Sequence, residues 1–418
     1  MTTNPADTLD RIQLLVDEFD KFIKFVEEEN PELSSKKTNL GKKDAFKLNS
    51  MLQNKREVSA PNYIQEQYPM VDLLFSLAVD GGLYVVGNDE KNAIILQKTP
   101  RLGEYFELNV YEKYVFLLLT YWTAYNFKSK SFMPTVGIVK DTLGESILNI
   151  LSNAKAGERI TKDRHPIMYK FFSCYAAFLY HLSYFGFCDV ELIEGVQFSY
   201  EERVRAIIPS RLGVTASALL EKATLEYCRR NEIPSSELFF EERNELEEIE
   251  GTEDYFFNYL QKAFPEDYVE KTVKADLNID RSGVYTFKVS LSGNKKIWRK
   301  IRLSHRHDLD TLHMAIQEAF DFDNDHLYAF YLGGGSPRHA TPIYCPYMIE
   351  ESELTVLDFA IEDLGLVKGQ RFYYLFDFGD SWWFDVLLTD IDKNSPLPEK
   401  AEIISWKGES PKQYVFWE

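Results

Sequence analysis

The sequence has few cysteines, no long apolar run and no familiar catalytic motif. Its four cysteines are scattered along 418 residues without a C-x-x-C pair, so we expect reduced core thiols rather than disulfides or a zinc site. No apolar run reaches the about 18 residues that span a membrane, and the first residues do not resemble a secretion signal. Neither a phosphate loop nor a Gly-x-Ser-x-Gly setting occurs. We therefore predict a cytoplasmic protein without membrane contact, cofactor or metal.

Positive charge is scarce as well. The chain has 47 Lys and Arg residues against 66 Asp and Glu residues, which gives a formal net charge of -19. That charge argues against broad adhesion to nucleic acid or anionic membranes, because phosphate binding needs concentrated cations. Residues 231–270 hold 13 acids against only Arg243 and Lys262, and such a segment is mostly solvated. We predict an acidic linker over residues 231–275, with at most a short helix that begins near Tyr255.

Helical periodicity dominates the N-terminal half. Apolar residues recur every three or four positions from Leu9 to Val26, which indicates one face of an amphipathic helix. A second helix is predicted at 42–52 and a third near 63–80, and two short strands follow. Three helices and a strand pair in this order are typical of a winged helix.

The same order occurs a second time. Residues 73–103 and 178–213 each predict an apolar helix stopped at glycine, then two strands, then a Leu-Gly that leads into another helix. The copies are separated by about one domain length. We predict a mainly helical N-terminal half with tandem winged-helix-like domains at 1–110 and 111–230.

A basic segment lies inside the first of these domains. Residues 35–56 carry seven cations and a single acid, Asp44, and such a segment can sit against phosphates. The third predicted helix has no Lys or Arg to contact guanine. We expect a protein-binding scaffold here, with DNA binding by a mobile-element protein or regulator as the alternative. The candidate DNA-binding residues are Lys36, Lys37, Lys42, Lys43 and Lys47.

In the C-terminal part, segments with the hydrophobic period of a strand alternate with segments that have the period of a helix. Its predicted elements are strands at 284–293, 297–303 and 326–332, a helix from Leu309 to Phe320 between the second and third strands, a short helix at 355–366, and a hairpin around residues 373–386. The order is ββαβ, α, ββ. We predict an α+β domain at 276–418 in which two helices pack on a mixed or antiparallel sheet, within a multi-domain α+β chain.

Four ordered motifs in this region resemble one family. They are IWRKI (297–301), LHMAIQEAFDFDNDHLYAFYL (312–332), YLFDFGDSWWF (374–384) and GESPKQY (408–414). They are similar to the Orf-three-like family, named after the third open reading frame of the Agrobacterium Ri plasmid, which shows W-R, L-H-x-x-I-Q, H-L-x-x-F and Y-D-F-G-D-x-W-x-H. The resemblance implies a bacterial protein associated with mobile elements and brings no established activity. Some members are labelled putative resolvases, but no serine or tyrosine recombinase set is recognisable here.

A candidate polar cluster lies within the matched region: His313, His326, Asp377 and Asp380. Histidine and carboxylate can act as metal ligands or acid–base partners. His313 flanks the apolar stripe of its helix and His326 opens a strand, so hydrogen-bonded structural histidines are the simpler interpretation. A metal-dependent hydrolase that uses this cluster is the alternative, and we predict no catalytic residue.

The chain departs from the family in its hairpin. Where the family has Trp-x-His, residues 382–384 are Trp-Trp-Phe, so Phe384 replaces a histidine whose ring nitrogen could have been a metal ligand or a base. With 379–381 as the loop, Phe384 pairs with Phe376 and joins a continuous apolar face. Asp380 is then expected to shape the turn.

The opposite face of this hairpin is amphipathic and forms a candidate binding face, consisting of Tyr373, Trp383 and Asp385. We expect Asp377 to lie on this solvent-facing side. Taken with the absence of catalytic motifs, this face favours a non-enzymatic binding or adaptor protein whose C-terminal domain binds a protein partner. The sequence leaves the oligomeric state open.

Overall fold

Ten α-helices and eleven β-strands form a mixed α+β architecture in the part of the chain that the structure describes. The structure is a computed structural model, and it describes residues 5–125, 143–164, 168, 171–172, 176–193, 204–231, 252–274, 279–332, 340–348 and 355–414. The chain divides into two compact units. The first comprises Met1–Glu29, Lys42–Tyr84 and Lys98–Leu277, and the second comprises Asn30–Gly41, Val85–Gln97 and Asn278–Glu418. The four-part division at residues 110, 230 and 275 stays a prediction.

The first unit is mainly helical, as predicted. Its described helices are α1 (Pro5–Glu29), α2 (Lys42–Met51), α3 (Pro69–Asp80), α4 (Pro100–Phe106), α5 (Val110–Thr123), α6 (Leu143–Ser152), α7 (Ala176–Tyr184), α8 (Arg211–Asn231) and α9 (Thr252–Leu260). In this unit the strand pair β3 (Cys188–Leu192) and β4 (Val204–Pro209) follows α7. The pair β1 (Tyr84–Asn88) and β2 (Ile94–Lys98) follows α3 along the chain, but most of its residues belong to the second unit. No helix in the described ranges is long and apolar enough to cross a membrane.

Helix α1 buries a wider face than its periodicity predicts. The predicted stripe from Ile12 to Val26 is buried, but Leu9 at its start is exposed. Phe22 and Phe25, which lie beside that stripe, are also buried. The helix is therefore enclosed on most of its circumference by apolar neighbours, as expected for a helix at the centre of a helical unit.

The described part of the predicted acidic linker carries packed structure. Helix α9 confirms the short helix expected near Tyr255, and its Phe256 and Leu260 are buried. Beyond it, the carboxylate of the buried residue Glu112 accepts hydrogen bonds from the backbone N–H groups of Glu270 and Lys271. This segment is therefore anchored to helix α5. Residues 232–251 and 275 of the linker prediction lie outside the described residues.

The second unit is built on one antiparallel sheet. Its seven strands are β5 (Val284–Leu291), β6 (Trp298–Ser304), β7 (Tyr328–Leu332), β8 (Thr341–Tyr344), β9 (Arg371–Phe376), β10 (Trp382–Asp392) and β11 (Glu402–Lys407). They lie in the order β11-β6-β5-β10-β9-β7-β8, and every ladder is antiparallel. Strand alternation places the aromatic and branched residues of the central strands on one face.

Helix α10 (Leu309–Phe320) covers that face. Asp308 caps its first turn by accepting a hydrogen bond from the N–H of Thr311, and Asp321 ends it in the left-handed conformation. The predicted stripe is correct: Leu312, Ile316 and Phe320 are fully buried against the sheet.

A buried arginine closes one end of this core. The guanidinium of Arg299 lies 4.5 Å from the centroid of the Phe320 ring and donates to the carbonyls of Ala319, Lys407 and Gly408. It also donates to the hydroxyl of Ser410. Because charged donors form the stronger hydrogen bonds, Arg299 joins the end of α10 to the end of β11.

The short helix predicted at 355–366 is wrong. The segment forms turns, because the carboxylate of Asp358 accepts from the N–H and hydroxyl of Thr355, and that of Asp363 from the N–H of Ala360. Such local side-chain bonds compete with helical ones. The N–H of Ile361 is also engaged, by the carbonyl of His307. The described second unit thus has one α-helix on its sheet rather than two.

Strands β8 and β11 were not predicted from the sequence. Both are at the edges of the sheet. Strand β8 is four residues long and contains Pro342, which is tolerated at an edge. Strand β11 is largely exposed and has a bulge between Ile403 and Ser405. Neither shows the buried alternation that reveals a central strand.

The predicted register of the β9–β10 hairpin is wrong by two residues. Phe384 lies opposite Tyr374 rather than Phe376, and Phe376 lies opposite Trp382. The turn is therefore longer than 379–381. Because a shift of two residues preserves the faces of a strand, Phe384 is still fully buried, as expected, whereas Phe378 is partly exposed.

Truncation of Phe384 tests this packing. Phe384→Ala should lower the free energy of unfolding by about 3 to 5 kcal/mol, because removal of a buried ring leaves a cavity. Phe384→His should also destabilise, since the imidazole would lie among the rings of Phe320 and Tyr374 without a hydrogen-bond partner. Denaturant unfolding measures both. The matched control is Trp406→Ala, whose ring is 69% exposed and whose loss should change stability by about 0.5 kcal/mol or less; equal losses would contradict the burial of Phe384.

Candidate functional site

The four residues of the candidate polar cluster lie at one end of the second unit but in different environments. His313 is fully buried on α10, Asp377 is nearly buried after β9, and His326 is 38% exposed just before β7. Asp380 is exposed in the hairpin turn. The structure therefore joins His326 with Asp377 and leaves His313 in the core.

A continuous chain of hydrogen bonds surrounds His313. The side-chain amide of Gln317 donates to the Tyr374 hydroxyl at 2.7 Å, and Nδ1 of His313 lies 2.6 Å from that hydroxyl. Nε2 of His313 lies 2.8 Å from Oδ1 of Asn324. A neutral imidazole that accepts at Nδ1 and donates at Nε2 satisfies both ring nitrogens, the Tyr374 hydroxyl and the Asn324 oxygen. His313 therefore has no lone pair left for a metal ion or a substrate proton.

The surroundings of His313 also oppose its protonation. Burial lowers the pKa of its imidazole to about 4, and the hydrogen bond with Asn324 only partly offsets this effect. Its ring lies flat on the ring of Tyr328, with centroids 3.5 Å apart and an angle of 2° between the planes. A neutral, stacked and hydrogen-bonded histidine fits the structural interpretation of this residue.

His326 lies between two carboxylates. Its Nε2 is 3.6 Å from Oδ2 of Asp377 and 3.6 Å from Oδ1 of Asp325. The Tyr414 hydroxyl donates to Asp325 at 2.5 Å, and Gln413 donates to it at 3.2 Å. The hydrogen bond from Tyr414 lowers the pKa of Asp325, while the same bond raises the pKa of Tyr414 to about 12. Asp325 is therefore held as an anion beside His326.

Asp377, not Asp380, shapes the hairpin turn, which corrects the expectation from the sequence. Asp377 has a φ of 56° and its Oδ1 accepts from the N–H groups of Gly379 and Asp380 at 2.8 and 3.2 Å. Its own N–H donates to the carbonyl of Leu327. Asp377 is also nearly buried rather than solvent-facing, because these bonds draw its carboxylate into the turn.

The turn presents an apolar surface that the sequence did not reveal. Phe378 is 38% exposed at its tip, and Leu327, whose carbonyl is bonded to the turn, is 41% exposed. We define the hairpin-end surface as these two residues with His326, Asp325 and Asp380. The sequence signal that could have revealed it is the Phe-Gly-Asp tripeptide, since Gly and Asp favour a turn and turns commonly lie at the protein surface.

The candidate binding face of the hairpin is partly covered by the chain itself. Tyr373 is buried, with the ammonium of Lys36 located 5.8 Å from its ring centroid. The N–H of Arg371 donates to the carbonyl of Ser35 at 2.8 Å. Trp383 and Asp385 remain partly exposed, the former against Tyr331 and the latter 3.9 Å from Lys295. Tyr373 is therefore not available as a surface residue, contrary to expectation.

The candidate DNA-binding lysines are divided between the units. Lys36 and Lys37 belong to the second unit, whereas Lys42, Lys43 and Lys47 belong to the first. Lys47 pairs with Glu29, while Lys42 and Lys43 are exposed on α2. DNA contact through these residues stays a prediction.

No group of three or more His, Cys, Asp or Glu side chains within the described ranges is arranged to hold a metal ion. The His326 group comes nearest to one. However, Oδ1 of Asp377 is engaged by the turn, and both oxygens of Asp325 accept protein hydrogen bonds. These hydrogen bonds can instead hold the polar and apolar side chains of the hairpin-end surface in a fixed conformation.

The low pKa of His313 predicts a pH dependence of stability. The folded pKa of about 4 lies below the unfolded value of about 6.5, so only the unfolded chain takes up a proton between these values. The stabilisation is present above about pH 6.5 and is lost as the pH falls toward 4. Between about pH 7.5 and 5 the free energy of unfolding should decrease by about 2 kcal/mol from this group.

Denaturant unfolding of the wild type and of His313→Gln at both pH values measures the effect. The variant should be less stable at the higher pH, and its difference from the wild type should shrink at the lower pH. A difference that does not depend on pH would mean that His313 is not held neutral.

The correction of the turn yields a second prediction. Asp377→Ala should lower the free energy of unfolding by about 2 kcal/mol, because it removes two hydrogen-bond acceptor contacts and places alanine at a positive φ. Asp380→Ala is the matched control and should change stability by about 0.5 kcal/mol or less. Thermal and denaturant unfolding give both values. A larger loss of stability in Asp380→Ala than in Asp377→Ala would mean that Asp380 shapes the turn.

Comparisons with known proteins bear on this same region. The family described as plasmid pRiA4b ORF-3-like protein matches residues 283–415. A crystal structure of MM3350 from Methanosarcina mazei Go1, a protein of unknown function, shows 24% sequence identity over 32% of this chain and 73% of that chain, with a TM-score of 0.27. No curated protein matches the sequence. The resemblance predicted from four motifs is confirmed, since residues 283–415 match the model of the plasmid pRiA4b ORF-3-like family.

Proposed function

We propose that the protein is a non-enzymatic, cytoplasmic binding or adaptor protein whose C-terminal domain binds a protein partner through the hairpin-end surface. The observation that carries this proposal is the position of Phe378, an exposed aromatic ring at the tip of a turn held by Asp377. A rigid aromatic side chain loses little conformational entropy on binding. Such residues commonly provide the anchor of a protein interface.

The charge around Phe378 indicates the chemistry of the partner. Asp325 and Asp380 are exposed beside it, and Asp323 is exposed two residues before Asp325. A partner segment that combines an apolar side chain with Lys or Arg would complement this surface, because complementary charge favours the correct partner and speeds association.

The engagement of His313 supports binding over catalysis. The alternative of a metal-dependent hydrolase needs His313 as a ligand or base, and both of its ring nitrogens are within hydrogen-bond distance of Tyr374 and Asn324. A general base must reach the proton that it removes, and His313 is buried below the surface. Asp325 lies beside the remaining pair, His326 and Asp377, but its oxygens accept hydrogen bonds from Gln413 and Tyr414. No group of three such side chains in the described residues is arranged to hold a metal ion.

The first unit is proposed to be a winged-helix-like scaffold. Helices α1 to α3 of this unit, followed along the chain by β1 and β2, have the element order of that fold, although most of β1 and β2 belongs to the second unit. The third helix of a DNA-binding helix-turn-helix domain lies in the major groove, yet the residues of α3 from Met70 to Ala78 are all buried. This burial favours a protein scaffold over DNA recognition by α3.

Site-specific photocrosslinking tests the role of the hairpin-end surface. Phe378 is replaced by p-benzoylphenylalanine in the full-length protein, which is expressed in its native cells and irradiated. We expect one dominant protein adduct, whose crosslinked peptide contains Lys or Arg beside an apolar residue. Adding Asp380→Lys should reduce the adduct at least several-fold, because the substitution reverses a charge beside the probe.

The matched control places the same probe at Leu357, which is 52% exposed in the same unit. This probe should give no adduct with the partner captured at 378. The proposal fails if the two positions give the same adducts, if position 378 gives none, or if the captured peptide is acidic.

A further inference from the structure

A second charged surface lies on the face of the sheet opposite α10. Strand register brings three lysines and one tryptophan together there. Lys288 of β5 lies opposite Lys300 of β6, and Lys407 of β11 lies opposite Trp298 of β6. The ammonium of Lys288 is 5.1 Å from the Trp298 ring centroid. We call these four residues the sheet-face cluster.

The three lysines form no ion pair in the part of the chain that the structure describes. Two acids on this face are paired with other cations: Glu402 lies 3.5 Å from Arg302, and Asp385 lies 3.9 Å from Lys295. In a chain with a net charge of -19, three lysines gathered on one face of a sheet form a locally basic patch. The overall charge does not explain them.

The Trp298 ring attracts the ammonium of Lys288, but folding stability does not explain why Lys300 lies opposite Lys288. Like charges directly opposite each other on one face of a sheet are destabilising, and Lys288 and Lys300 are such a pair. Their side chains are half-buried, as is Trp298, so solvent screens them less than it screens a fully exposed pair. An anionic ligand would relieve this repulsion.

Trp298 indicates which class of anionic ligand would bind to this face. Proteins that bind single-stranded nucleic acid combine cations along the backbone with aromatic rings on which bases stack. The sheet-face cluster has both parts within three neighbouring strands, whereas an acidic peptide would use the lysines and leave the ring without a specific role. We propose that the sheet-face cluster binds single-stranded nucleic acid, with Lys288, Lys300 and Lys407 on phosphates and Trp298 stacked on a base.

This site is separate from the hairpin-end surface in chemistry and in the residues it uses. One surface is acidic with exposed apolar side chains and the other is basic with a tryptophan. The proposal therefore goes beyond the proposed function, and either one can fail without the other.

Fluorescence anisotropy with a labelled oligothymidylate of about twenty nucleotides and the full-length protein tests the site. We expect binding at about 50 mM salt that weakens as salt rises, with a slope of log K against log salt of about -2, since each phosphate contact on a single strand contributes about -0.7. A duplex of the same length should bind at least tenfold more weakly, because its bases are not free to stack on Trp298.

Two variants separate the roles of charge and stacking. Lys288→Gln with Lys300→Gln should reduce the salt slope by about 1.4, because two phosphate contacts are lost. Trp298→Leu should weaken binding roughly tenfold and leave the slope unchanged, as expected for the loss of one stacked base. Thermal unfolding checks that each variant is folded, and the double lysine variant should be at least as stable as the wild type.

The matched control is Lys162→Gln with Lys400→Gln, which removes the same charge at two exposed lysines outside the cluster and should leave affinity and slope unchanged. The proposal is overturned by absence of binding at the lowest salt, by equal effects of the two double variants, or by equal affinity for duplex. Competition by polyglutamate as strong as by oligothymidylate, with Trp298→Leu without effect, would assign the face to an acidic protein instead.

Discussion

The short contact between the Tyr374 hydroxyl and Nδ1 of His313 fixes how helix α10 lies on the sheet. Asp310, His313 and Gln317 are spaced three and four residues apart, so they form one polar stripe along an otherwise apolar helix. Each of them bonds to a tyrosine of β7 or β9. Moving the helix by one residue would leave the buried groups of His313, Gln317 and Tyr374 unsatisfied, at a cost of about 1 to 3 kcal/mol for each. The apolar stripe attracts the helix to the sheet, and the polar stripe selects its register.

The hairpin-end surface depends on this register. Helix α10 ends at Asp321 in a left-handed conformation, and the chain then returns to the sheet past Asn324, which is bonded to His313. Asp325 is held by Tyr414, and the carbonyl of Leu327 is held by the N–H of Asp377. The exposed side chains are therefore supported from below by hydrogen bonds that begin in the core. A surface prepared in this way binds with a smaller loss of conformational entropy.

Periodicity predicts the helices and strands that bury one face. It fails where side chains form hydrogen bonds with the nearby backbone. The stripe of α10 and the central strands were predicted because their burial repeats with the period of their structure. The segment at 355–366 also has helical spacing, yet Asp358 and Asp363 capture nearby N–H groups and hold turns. Asp377 was misjudged for the same reason, since alternation does not reveal a residue that leaves the strand at a positive φ.

The site was predicted only as a set of residue types. His313 and His326 were identified from the sequence, but the partners that define their roles were not. The Tyr374 hydroxyl lies 61 residues from His313 in sequence, and Tyr414 lies 89 residues from Asp325. No local pattern encodes such pairs. Phe384 belongs to the core, because its ring centroid lies 4.8 Å from that of Phe320 and 5.6 Å from that of Tyr374. An apolar ring thus occupies the position where the resemblance to the family predicts histidine, and it packs against Tyr374, whose hydroxyl bonds to the polar stripe of α10.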